Sequence, residues 1–209
     1  MIRRPPRSTL FPYTTLFRSA KEKWTETNFK LTSDWRSGRS GFGFQKSGST
    51  LTGLIKTKIR TSKRAIWLRK KFSIKNQDTL DYLILRIQFD DGFIAYLNGQ
   101  KVATVNAVEK PKYNSYATRD NRDLSFFDFD LTDHIRLLKP GQNNVLAVQS
   151  FDYRTDRTQF FVMPTLLAGR LTAFDSTKRV FLSTPTPGRL NAKIGRATCS
   201  ASQYVVRGR

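Results

Sequence analysis

Along most of the chain apolar and polar residues alternate with the two-residue period of β-strands, and the 3.6-residue period of helices is nearly absent. The clearest stretch is 80–106, LDYLILRIQFDDGFIAYLNGQKVATVN. Its odd positions Leu83, Leu85, Ile87 and Phe89 are all apolar, while Tyr82, Ile84, Arg86 and Gln88 mix apolar and polar character, so one strand face is expected to be buried. Turn chemistry interrupts the run at Asp90-Asp91-Gly92 and again at Asn98-Gly99. Asn-Gly between apolar runs predicts a type I′ hairpin, because both central residues need positive φ and these two reach it at least cost. Three consecutive antiparallel strands are expected from the pattern.

The same alternation recurs on both sides. Upstream, Gly38, Gly41 and Gly43 are interleaved with aromatic residues, which predicts a glycine-turned entry segment whose Trp24, Trp35, Phe42 and Phe44 plug one end of a β core. Ile66, Leu68, Phe72 and Ile74 then alternate with Trp67, Arg69 and Lys71, and Asn76-Gln77-Asp78 turns the chain into the central strand. Residues 109–122 read as a long polar surface loop. Phe127, Phe129 and Leu131 alternate with Asp128 and Asp130, after which Thr132-Asp133 is placed to cap one short helical turn through Leu138, ended by Pro140-Gly141. Runs at 144–151 and 159–167 predict two further strands, the second demoted by Pro164 to an edge or bulge in its later half. Many short strands spaced by turns predict an all-β, antiparallel β-sandwich with one short helical turn. Its core is expected from Trp24, Trp35, Ile66, Leu68, Phe72, Leu83, Leu85, Ile87, Phe127, Phe129, Val145, Ala147 and Phe161, with Gly92, Asn98, Gly99, Gly141 and Asn144 setting turns.

Composition narrows the chemistry. At 209 residues the chain has room for one sizeable core, and no apolar run reaches the roughly 18 residues of a membrane span. The formal charge of +21 points to anionic partners, but Arg3, Arg4, Arg7 and Arg18 lie at one end and Lys193, Arg196, Arg207 and Arg209 at the other. The one dense basic cluster in the body is Lys56, Lys58, Arg60, Lys63, Arg64, Arg69, Lys70 and Lys71, read as a solvated strand face or as an anion-binding surface. Cys199 is the single cysteine and His134 the single histidine, which excludes disulfides within the chain and multi-histidine metal sites by counting alone. Gly41-Phe42-Gly43 superficially matches a phosphate-cradling glycine motif, but no helix is predicted after it.

Several motifs resemble one family. Trp35-Arg36-Ser37-Gly38 with Gly41-Phe42-Gly43-Phe44, Leu68-Arg69-Lys70-Lys71-Phe72, the Asp90-to-Gly99 turn-strand-turn, and Leu138-to-Gln149 together resemble the galactose-binding-like jelly roll. That domain recurs in large secreted bacterial proteins beside lamin-tail, CotH-type or glycoside hydrolase modules. Gln142-Asn143-Asn144 is one residue longer than the usual Gly-x-Asn, which would add a bulge, and residues 181–188, FLSTPTPG, resemble the phrase that closes lamin-tail-type modules. The resemblance implies a non-catalytic accessory module of a secreted or cell-surface multidomain protein, with a polysaccharide or glycan and the neighbouring domains of the parent chain as partners. The ends resemble something else. Residues 1–19, MIRRPPRSTLFPYTTLFRS, are similar to the translation of a sequencing-adapter read, and KIGRATC at 193–199 to a second one. Pro5, Pro6, Pro12 and Arg18 also break any signal-peptide pattern. The expected organisation is therefore a disordered, non-native 1–19, a sandwich over 20–175, a linker or the start of a next module over 176–191, and a non-native tail over 192–209.

Candidate sites are few. Adjacent carboxylates on a strand point to opposite faces, so Asp90-Asp91 is poorly placed for a glycosidase pair, which must stand about 5 to 9.5 Å apart across a sugar. Two readings stay open for the pair: an Asx-type turn that holds backbone N–H groups, or, by resemblance to adhesin-type lectin domains, ligands to Ca2+. Trp67, Tyr113, Tyr116 and Tyr153 are candidates for a sugar-stacking surface, since apolar sugar faces pack on aromatic rings. The alternatives to glycan binding are a structural spacer or adhesion domain that holds no small ligand, and binding of a polyanion or nucleic acid by the basic surface, which would weaken steeply with salt.

Overall fold

The computed structural model describes residues 10–14, 23–45, 51, 53–59, 65–121, 123–153, 159–170 and 204–205. The strands are β1 Leu10–Thr14, β2 Arg36–Arg39, β3 Phe42–Gln45, β4 Thr57–Lys58, β5 Ala65–Phe72, β6 Tyr82–Phe89, β7 Gly92–Leu97, β8 Gln100–Val105, β9 Phe127–Asp130, β10 Asn144–Phe151, β11 Gln159–Gly169 and β12 Tyr204–Val205. One sheet runs β2-β1-β5-β10-β7-β8 and the other β4-β3-β11-β6-β9, with β12 on β11. Every pairing is antiparallel except β3 with β4. Short 3-10 turns cover Gln77–Thr79 and Thr132–Leu137. The chain is thus an all-β sandwich, and among the described residues no helix is long and apolar enough to cross a membrane.

The inward face of β6 follows the alternation: Leu83, Leu85 and Ile87 are fully buried and Phe89 nearly so. Each such side chain contributes about 1.5–3 kcal/mol through burial. The expected three-strand meander does not form, however. β6 lies between β11 and β9 in one sheet, and β7 lies between β10 and β8 in the other. Asp91, at φ 42°, swings the chain across the sandwich, and Phe89 and Phe93 then meet edge to face at 4.8 Å. The second turn is as expected, with Asn98 at φ 51° and Gly99 at φ 93° closing the β7–β8 hairpin.

β10 is buried at every residue because it is central and covered on both sides. Leu146 and Val148 face the main core, whereas Val145, Ala147 and Phe151 join Trp24, Trp35, Trp67, Ile94 and others in a second cluster on the outer face of that sheet. Four of the expected core residues, Trp24, Trp35, Val145 and Ala147, therefore belong to this outer cluster. Phe127 and Phe129 are only half-buried, since β9 is an edge strand. β10 pairs with β5 without a break from Asn144 to Phe151, so the longer Gly-Gln-Asn-Asn approach adds no bulge there.

Two further expectations are corrected and one is met in part. Pro164 adds no bulge, since β11 pairs continuously with β6 from Val162 to Gly169, but it does sit where β11 has become an edge on its other side. Its carbonyl accepts from Ser40 Oγ, so the side on which it lacks an N–H faces Ser40, and β3 has already stopped pairing at Val162. Thr132 does not cap the second 3-10 turn, whose N-cap is Leu131; its N–H donates to Asp130 and its Oγ accepts from the Leu83 N–H. Residues 1–19 do not stand wholly apart either. Leu10–Thr14 inserts between β2 and β5, because Phe11 and Tyr13 point the same way and both pack on Phe42, at 6.2 and 5.0 Å. In the tail, Tyr204–Val205 pairs with β11; the rest of 192–209 and all of 176–191 lie outside the described residues.

Candidate functional site

One end of the sandwich gathers the carboxylates and two of the four candidate aromatic residues. The geometry starts at the turn between β6 and β7. Gly92 is required there by close approach, since a Cβ would fall 2.7 Å from the Asn106 carbonyl oxygen and 3.0 Å from that of Val105. With β7 drawn this close, Asn106 Nδ2 donates to the Asp91 carbonyl and Ser150 Oγ to that of Gly92. Asp91 then reaches outward. Its Oδ2 accepts from the Tyr153 N–H at 2.6 Å and its Oδ1 from the Asn121 N–H at 3.2 Å, while Asn121 Nδ2 donates to the Phe89 carbonyl. Ala117 N–H donates to the Asp152 carbonyl and Thr118 N–H to that of Asn106. One carboxylate thus clamps the long 106–121 loop and the segment after β10 to the same turn.

The electrostatics are unusual for a surface turn. Asp90, Asp91 and Asp152 are all buried. Burial, with the Asp91 charge beside it, pushes the Asp90 carboxyl up to about 8, so it holds a proton at neutral pH; a Gln159 hydrogen bond opposes the rise. Asp91 is also raised, chiefly by burial, but the two backbone N–H bonds favour its charged form, so Asp91 is the ionised member of the pair.

This arrangement does not fit the calcium reading of Asp90 and Asp91. Both Asp91 oxygens are engaged by backbone amides, and among the described residues no group of three or more His, Cys, Asp or Glu is arranged to hold a metal ion. The Asx-turn reading is the one the geometry matches.

Of the aromatic candidates, Tyr116 and Tyr153 are each next in the chain to one partner of the Ala117–Asp152 backbone hydrogen bond. Tyr153 is 39% exposed and Tyr116 half-buried. Tyr113 is 55% exposed on the 112–115 turn, which Ser115 Oγ closes by accepting from the Lys112 N–H. Trp67 is not on a free surface. It is 3% exposed within the outer cluster, beneath the segment that carries Trp24, Phe29 and Trp35. Arg69 and Lys70 are likewise buried, which corrects the reading of the basic cluster as a wholly solvated face; Arg60, Lys63 and Arg64 lie outside the described residues.

Asp152, Asn121 and Gln159 belong to the site and carry no mark in the sequence. Only the chain's return, thirty or more positions later, brings Asn121 to Asp91 and Gln159 to Asp90. The opposite end of the sandwich is held by neutral amide side chains. Asn144, fully buried, accepts from Asn98 Nδ2 and the Lys139 N–H and donates to the carbonyls of Lys139 and Gln142, while Asn98 Oδ1 takes the Val145 N–H.

No protein-family model matches the chain, and no curated protein matches it. Similar solved structures include a β-glucuronidase from glycoside hydrolase family 2, at 15% identity over 76% of this chain and 17% of that one, with a TM-score of 0.43. Another is Bacteroides uniformis β-glucuronidase 2 covalently bound to cyclophellitol-6-carboxylate aziridine, at 14% identity over 81% and 19% of the two chains, TM-score 0.44. The Faecalibacterium prausnitzii β-glucuronidase matches at 16% identity over 90% and 27%, TM-score 0.40. The chain therefore spans between 17% and 27% of the length of these three proteins.

Proposed function

We propose that the chain is a non-catalytic, glycan-binding accessory module of a larger secreted or cell-surface protein, a glycoside hydrolase among the possible parents, and that it binds at the Asp91 end of the sandwich. The observation that carries this reading is the clamp itself. Asp91 holds the 106–121 loop and the segment after β10 to one turn, and in this reading Tyr116 and Tyr153, which flank that junction, supply the rim. Aromatic faces for the apolar side of a sugar, next to hydrogen-bonding groups for its hydroxyls, are the chemistry such recognition needs. Tyr113, further along the same loop, extends the surface. In this reading residues 1–19 and 192–209 are adapter-derived and play no part in binding, although Leu10–Thr14 fills a place between β2 and β5.

The test is retention of the full chain on a panel of immobilised polysaccharides, compared with a Tyr116→Ala/Tyr153→Ala variant. Retention that falls at least about tenfold in the variant, a loss of 1.4 kcal/mol, is the expected result. A chain that passes every polysaccharide unretarded overturns the reading. It would leave the module as a spacer or adhesion domain, which the use of both Asp91 oxygens in holding backbone amides also favours.

A further inference from the structure

The outer face of the β5, β10 and β7 layer carries a buried cation that the loop-end site does not use. In register across the three strands, Trp67 stands opposite Gln149 and Gln149 opposite Ile94; in the next row Arg69 stands opposite Ala147 and Ala147 opposite Tyr96. The strap of residues 23–35 lies over them. Its turns are closed by Glu26 N–H to Lys23 O, Phe29 N–H to Glu26 O and Trp35 N–H to Thr32 O. Trp24 meets Tyr96 edge to face at 5.8 Å, and Phe29 meets Trp35 at 5.9 Å.

Within this aromatic setting Arg69 is 2% exposed. Its guanidinium lies 5.1 Å from the centre of the Phe29 ring, and Nη2 donates to the Glu26 carbonyl at 2.9 Å. Nη1 is buried and makes no hydrogen bond. Among the described residues no Asp or Glu forms an ion pair with it. Burial lowers its pKa to about 10, which still leaves it charged at neutral pH. A dehydrated guanidinium is ordinarily satisfied by a carboxylate that takes two parallel N–H groups of its planar fork. Here the fork is half used, one flat aromatic wall is in place, and the buried Gln149 amide stands diagonally across the sheet from it.

We propose that Arg69 and the aromatic strap form a binding site for a small carboxylate-bearing molecule. The carboxylate takes the unused Nη1 donors, the body of the ligand packs against Phe29 and its aromatic neighbours, and the strap lifts to admit it. A singly charged planar anion matches one desolvated guanidinium, whereas a sulfate dianion would leave a second charge buried without a partner.

The chain contains three tryptophans, and Trp24, Trp35 and Trp67 all lie in this cluster, so intrinsic fluorescence reports on it alone. The full chain is titrated with sodium galacturonate and sodium acetate at constant ionic strength, with galactose and sodium sulfate as comparisons. A saturable emission change with galacturonate, smaller or weaker with acetate and absent with galactose, is expected. Arg69→Lys, which keeps the charge but loses the fork, is expected to weaken galacturonate at least about tenfold. If that variant lacks a cooperative melt, Phe29→Leu serves instead and is expected to weaken galacturonate more than acetate. No saturable response to either carboxylate, an equal response to galactose or sulfate, or unchanged affinity in the folded variant overturns the proposal. Tyr116→Ala/Tyr153→Ala is expected to leave this titration unaltered, which separates the site from the glycan-binding rim.

Discussion

Replacing Asp90 by Asn is expected to make the protein more stable at alkaline pH and to remove most of its loss of stability between about pH 6 and 8. The carboxyl moves from 3.8 to about 8 on folding, first because burial disfavours its charge and then because Asp91 lies beside it, with Asp152 and Asp120 adding to the repulsion. Above about pH 4 the unfolded chain releases the Asp90 proton and the folded chain keeps it. The group's effect on stability is therefore nil below its unfolded value, grows steadily unfavourable as pH rises to about 8, and is level beyond. At about 1.4 kcal/mol per pH unit the full span is on the order of 5 kcal/mol. Asn is neutral throughout and of the same shape, so Asp90→Asn is expected to exceed the parent by about 3–5 kcal/mol at pH 8 and by less than about 2 kcal/mol at pH 5. Asp91, also raised, adds a decline of the same sign that persists in the variant. Urea unfolding followed by far-UV circular dichroism, at intervals of about one pH unit between 5 and 9, measures both slopes. A parent whose stability is flat or rises toward pH 8, or a variant with the parent's slope, would refute the reasoning.

Asn144→Ala removes a fully buried amide that serves four hydrogen bonds and is expected to cost about 2–4 kcal/mol in a urea titration, with faster amide exchange at Val145 and Lys139. Gly92→Ala drives a methyl group against the carbonyl oxygens of Asn106 and Val105 and is expected to cost about 2–3 kcal/mol, read as a lower melting temperature. Arg86→Ala breaks a two-point ion pair with Asp128, but both side chains are over 40% exposed, so the expected loss is under about 1 kcal/mol and shrinks further in high salt.

The parts of the fold that were legible in the sequence are those set by local chemistry. Leu83, Leu85 and Ile87 had to face one way because the strand period is two, and Asn98-Gly99 had to turn because few other pairs accept positive φ twice. What could not be read locally is which sheet a strand enters. The chain leaves β6 at Asp90-Asp91 with hairpin-like residues, yet β7 pairs with β10, whose first residue lies some fifty positions later. The burial of Trp67 and Arg69 was hidden for a related reason. Alternation identifies two faces of β5 but not the strap from 23–35 that covers the second one. Likewise the role of Asp91 as a turn residue was open to reading, while its hold on Asn121 and Tyr153 depends on loops whose path no short-range pattern encodes.

The two inferred sites share a property that separates binding from spacing. Arg69 is a buried cation with no ion pair among the described residues, and Asp90, Asp91 and Asp152 are buried carboxyl groups crowded at the other site, where burial and the neighbouring Asp91 charge keep Asp90 protonated; neither set neutralises the other. A chain selected for stability alone does better with apolar or neutral residues of similar volume at such positions, and proteins tend to break this rule where function requires the charge. Measuring stability and binding on the same variants therefore discriminates. In a pure spacer, Asp90→Asn and Arg69→Met gain or hold stability and nothing else changes. In a receptor, Arg69→Met holds its melt but no longer responds to galacturonate, because the charge that is costly to bury is the group that the carboxylate needs.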